Sequence, residues 1–147
     1  MSNRFENRNE NANVLKSKTR ATKLALIISY LAIWIFAVTF FWFFTDGSDA
    51  MGYGIIFFWI LLPVTTFILS ILIGKNDYWG KLKWLSAAVF GVMYMLGEYA
   101  TFSAANMKAF GNTNSPEWCM ILYGGLLSAA GLGIGVLIKQ IKQRKGR

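Results

Sequence analysis

Glu98 is the residue best placed to do chemistry, because it is the only carboxylate in an apolar stretch running from about Leu82 to Phe102. An acid carried into hydrocarbon costs a few kcal/mol on insertion scales, so such residues face a bundle interior or a wet cavity and mark proton or ion pathways. Stepping back along a helix by four, seven and eleven residues gives Tyr94, Gly91 and Ala87. That stripe is small or hydrogen-bonding, so it turns Glu98 toward other helices and away from lipid. Tyr94, Thr101 and Tyr123 are the hydroxyls expected nearest to it. No lysine or arginine lies within the core to pair with the acid, which favours a neutral carboxyl hydrogen-bonded to one of these hydroxyls. One reading makes Glu98 a proton or cation site. The other makes it a polar clamp between helices, or a group close enough to the surface to be hydrated.

A second pattern is built from small residues. Gly124, Ser128, Gly131 and Gly135 recur at offsets of four, seven and eleven, which stacks them on one helix face and lets another backbone approach closely. The face suits a dimer or partner interface, or packing within the chain's own bundle. Pro63 is the third feature. It removes one backbone donor from an apolar helix and should kink it, with Thr65, Thr66 and Ser70 available to satisfy the freed carbonyl.

The residues needed for most catalysis are missing. There is no histidine and a single cysteine, Cys119, so the commonest general base, an internal disulfide and multi-thiol metal sites are excluded. No carboxylate pair shares an apolar stretch, and no phosphate-cradling glycine loop occurs. The chain is therefore expected to be neither an enzyme nor a metal or cofactor protein.

Positioning Glu98 falls to four long apolar runs, about 24–44, 54–73, 82–102 and 119–138. Each is close to the roughly 20 helical residues that cross a hydrocarbon core. Lipid obliges each segment to satisfy its own backbone hydrogen bonds, so helices are expected and strands are not. Composition agrees: of 147 residues, 55% are hydrophobic and 15% charged, against about 25% charged in a soluble domain. The first run is too long for a signal-peptide core and no cleavage site follows, so it should stay as an anchor.

Charge sets the expected orientation. Fourteen of the fifteen basic residues lie in the N-terminal tail, the loop between the second and third runs, and the C-terminal tail. Only Lys108 lies in the other two loops. By the positive-inside rule both termini are cytoplasmic. The net charge of +8 is then explained by topology and by anionic headgroups, without nucleic acid. Trp42, Tyr53 and Trp118 should mark the outer boundary, and Tyr78, Trp79 and Trp84 the inner one. Residues 1–13 are Asn-rich and charged and are expected to be disordered. Ser115, Pro116 and Glu117 read as the start of the fourth helix.

The expected fold is thus an all-α integral membrane protein, a four-transmembrane-helix bundle with both termini inside. A basic tail over 1–23 precedes the membrane domain over 24–138, and a second basic tail covers 139–147. The expected location is a plasma membrane, bacterial because no organelle-targeting segment precedes the first run. The expected role is an accessory or structural subunit that self-associates or joins a larger membrane protein through the fourth helix. The alternative is a small oligomeric transporter or channel with Glu98 as its proton or cation site.

Overall fold

A computed structural model describes residues 2–46 and 48–145, with side-chain surroundings from Asn13 onward. Four helices carry the fold: α1 (Ser2–Phe44), α2 (Ala50–Asn76), α3 (Gly80–Phe110) and α4 (Trp118–Lys145). All four are long and apolar enough to cross a membrane, α1 through its Asn13–Phe44 portion. No strand occurs among the described residues. At 1.5 Å per residue the 27 residues of α2 span about 40 Å, the hydrocarbon core together with the headgroup layers. The helices outrun the apolar runs because polar flanking residues add one backbone bond each to a helix already nucleated.

The same propagation corrects one expectation. Composition predicts disorder over 1–13, yet α1 begins at Ser2; Met1 lies outside the described residues. Low apolar content argues against a packed core, but a helix continuing from a long apolar one needs none. A smaller correction concerns α4. It starts at Trp118, and its first turn closes with Met120 N–H donating to the Glu117 carbonyl. Ser115 and Pro116 therefore precede the helix instead of capping it.

Within the bundle, α4 makes the most extensive contacts, with α2 on one side and α3 on the other, while α1 stands farther off. Side-chain size explains the difference. A Cβ added at Gly131 would lie 2.7 Å from the Phe67 carbonyl oxygen and 2.8 Å from Ser70 Cβ. One at Gly135 would collide with the Ile71 carbonyl oxygen and stand 2.9 Å from Gly74 Cα. From the other helix, a Cβ at Gly74 would stand 2.5 Å from the Leu132 carbonyl oxygen. Beside this seam Ser70 and Ser128, both fully buried, share a 2.7 Å hydrogen bond. Toward α3 the same device recurs: Gly124 would place a Cβ 2.8 Å from Tyr94 Cβ, and Gly91 one 2.5 Å from the Ile121 carbonyl oxygen.

Large rings fill the space on the α1 side. Ala37, Phe41, Tyr53, Phe57, Phe58, Leu62 and Tyr94 form one cluster, and Tyr30, Leu69, Ile73, Phe90 and Leu132 the other. Hydrogen bonds tie α1 across these rings. Trp34 Nε1 donates to the Met93 carbonyl, Trp42 Nε1 to Ala100 and the Tyr53 hydroxyl to Ala37, each at 2.9 Å.

At the end bearing the chain termini, Asp77 follows α2 in the left-handed conformation (φ 52°), which Asp tolerates better than most residues. Its carboxylate binds Lys139 of α4 and Lys83 of α3, each at 2.8 Å. Those two hydrogen bonds, Lys139 first, hold its pKa down from 3.8 to about 2. A depressed pKa stabilises the fold above the unfolded value, and that stability is lost as pH falls through the folded one. Asp77→Asn keeps the backbone preference and drops the charge. It should lower the melting temperature in detergent at neutral pH and flatten the loss of stability expected of the wild type between about pH 4 and pH 2.

The seam yields a sharper test. Gly131→Ala should cost about 1–3 kcal/mol of stability, the range for overpacking, because backbone stands where the methyl would go. Gly133, two residues on, has nothing within 4 Å of an added Cβ. Gly133→Ala should be neutral or stabilising in the same thermal melts.

Candidate functional site

At the end opposite the termini the helices part. There α1 finishes, α2 begins, α3 ends at Phe110 with Gly111 left-handed (φ 69°), and residues 111–117 lead into α4. Between them lies a cleft of about 870 Å³, with Glu98 and Ser103 on its wall together with Asp46, Glu117, Phe41, Trp42, Phe102 and Phe110.

Glu98 is 8% exposed. Its hydroxyl partner is Ser103, whose Oγ donates to Oε1 and Oε2 at 3.0 and 3.1 Å. None of the three hydroxyls expected from the sequence bonds the carboxyl. Thr101 turns back on its own helix, donating to the Gly97 carbonyl at 2.8 Å. Tyr94 donates to the Phe58 carbonyl of α2. Tyr123 packs its ring on Tyr94, 5.4 Å between centroids, and on Trp59. The reason is local: Tyr99–Ser103 is π-helical. Widening the turn to i→i+5 bonding brings the fifth residue round to the side where an α-helix would bring the fourth.

The cleft wall combines carboxylates with aromatic faces and includes no lysine or arginine. Lys108 stands nearby, its ammonium 5.5 Å from the Trp42 ring centroid. It forms no ion pair among the described residues. A carboxylate has about four acceptor positions, and Glu98 uses them on one shared hydroxyl hydrogen. The Thr45 hydroxyl, also on the wall, has no partner among the described residues. No group of three Asp, Glu or Cys side chains among them is disposed to hold a metal ion. The donor set fits a proton or an organic cation, for which acidic oxygens and ring faces are complementary partners. Asp46 and Glu117 were legible only as an acidic balance of the two loops at this end; nothing in their spacing joined them to Glu98.

The small-residue face is divided between two neighbours. Gly131, Gly135 and Ser128 meet α2, whereas Gly124 meets α3. The whole face is therefore occupied within the chain.

At Pro63 the freed carbonyl finds a different partner from those expected. The backbone preceding it, Gly54–Leu61, is π-helical, and Leu62 N–H donates to the Phe57 carbonyl five residues back. The next donor in that ladder would be Pro63, which has no N–H, so the Phe58 carbonyl is left for Tyr94. The hydroxyls expected to do this do not reach it: Thr65 donates to Leu61, Ser70 pairs with Ser128, and the buried Thr66 hydroxyl has no partner among the described residues. Tyr94→Phe should therefore cost about 1–3 kcal/mol, the cost of a buried unsatisfied carbonyl. In a Pro63→Ala background, where a backbone N–H returns, the same substitution should cost much less. Equal costs in the two arms of this double-mutant cycle would contradict the assignment.

No protein-family model, no curated protein and no solved structure matches this chain.

Proposed function

We propose that the protein is a small multi-pass membrane protein that binds a proton or an organic cation at Glu98. The observation that carries this reading is the placement of Glu98. It is buried, held by a single serine hydroxyl, on the wall of a cleft whose other charged groups are Asp46 and Glu117. A cation entering the cleft exchanges water for carboxylate oxygens and the faces of Phe41, Trp42, Phe102 and Phe110. A proton and a cation compete for the same oxygens, the coupling an exchanger or a pH-gated channel requires. With the basic termini inside, the cleft opens on the outer face of a plasma membrane. An accessory role stands second, since the small-residue face that motivated it is covered by α2 and α3 and a partner would have to use the outer faces of the bundle.

The test is calorimetric titration of the purified protein in nanodiscs with tetramethylammonium and tetraethylammonium. Saturable binding is expected, weakening as pH is lowered. Glu98→Gln should reduce affinity by about tenfold or more, as expected for a lost charged partner. Glu98→Gln protein that binds as tightly as the wild type would sink the proposal.

A further inference from the structure

A second concavity lies in the half of the bundle nearer the termini and shares no lining residue with the Glu98 cleft. It is an apolar groove of about 350 Å³ between α1 and α3 with α2 as its floor. Leu31 of α1 and Leu85 and Val89 of α3 form its lips, all exposed, while Leu69 and Ile73 of α2 lie buried beneath. Along α3 it runs from Leu82 to Met93. That is roughly 17 Å of helix, close to half of a 30 Å hydrocarbon core. Its length is that of an acyl chain in one leaflet.

The end of the groove nearest the termini is marked by charge. Trp79 lines it, and the Lys23 ammonium sits 5.6 Å from the centroid of the Trp79 ring. Lys23 has no carboxylate partner among the described residues, in contrast to Lys83, which Asp77 holds. The cationic row continues along α1. Lys16, Arg20, Lys23, Ile27 and Leu31 follow one another at steps of four, three, four and four residues, which keeps them on one helix face. The face that supplies apolar side chains to the groove therefore supplies cations beyond its mouth. A tryptophan at the junction suits the level where acyl chain meets headgroup.

We propose that this groove is a binding site for one anionic phospholipid, with an acyl chain between α1 and α3 and its phosphate against Lys23 and Arg20. The lipid lies outside the Tyr30–Phe90 contact, between the exposed lips of α1 and α3, so it adds to the hold on the helix that the glycine seam leaves out. The site is independent of the Glu98 cleft and of which ligand that cleft takes.

Native mass spectrometry of the detergent-purified chain with phosphatidylglycerol or phosphatidylcholine tests it. One phosphatidylglycerol per chain should be retained in preference to phosphatidylcholine, by about fivefold for each contributing cation. Lys23→Gln with Arg20→Gln should bring the two lipids to equal retention. Val89→Trp and Leu31→Trp, which fill the groove from either lip at exposed positions, should reduce retention of both lipids in protein whose melting temperature is unchanged. Equal retention of the two lipids by the wild type would overturn the proposal. So would a preference that survives loss of both cations, or undiminished binding in both tryptophan variants.

Discussion

In hydrocarbon, two helices gain little from hiding leucines from a solvent that is itself apolar. Their association rests on close packing and on hydrogen bonds between them. In this chain both kinds of contact run through α4. Gly131 and Gly135 bring its backbone against Ser70, Ile71 and Gly74 of α2, and Gly124 brings it against Tyr94 and Gly91 of α3. The rest of the arrangement follows. With α4 drawn close to two neighbours, α1 is left on the far side of α2 and α3, where the gap is wide enough for rings. Phenylalanines, tyrosines and tryptophans occupy it.

Four of the tryptophans and tyrosines also carry donors that reach carbonyls. Trp34, Trp42, Tyr53 and Tyr94 each bond a backbone oxygen of another helix. An indole or phenol buried without a partner is costly, so each bond specifies the register and rotation of the helix it reaches. Both π-helical stretches, Gly54–Leu61 and Tyr99–Ser103, lie in the half of the bundle that opens into the cleft. In α2 the stretch ends two residues before Pro63, whose missing N–H leaves Tyr94 its acceptor. In α3 it turns Ser103 onto Glu98. Both wide turns thus lie where the site is, as wide turns in helices often do.

The four helices were legible in the sequence because a continuous apolar run of about 20 residues matches the hydrocarbon thickness and little else in protein structure. Their ends were not, since polar residues extend a helix without any periodic sign. The importance of Glu98 was legible from the cost of burying an acid. Its partner was hidden, because spacing arguments assume α-helical turns and Ser103 is reached across a π turn. The glycine stripe could be seen on α4, but a single face was expected where two neighbours share it. Nor does any sequence pattern connect Asp77 to Lys139, 62 residues away. That contact exists only once α4 has packed along α2.

Whether Glu98 is a buried carboxyl open to cations from the cleft is tested most directly by carboxyl carbon NMR. The protein would be labelled at glutamate in lipid nanodiscs, with the Glu98 signal assigned by its loss in Glu98→Gln. This resonance should shift progressively as tetramethylammonium is added, while the signals of glutamates in the N-terminal tail stay in place. A Glu98 resonance indifferent to the cation, in protein that keeps its native melting temperature, would contradict the cation site and leave the residue a polar clamp between helices.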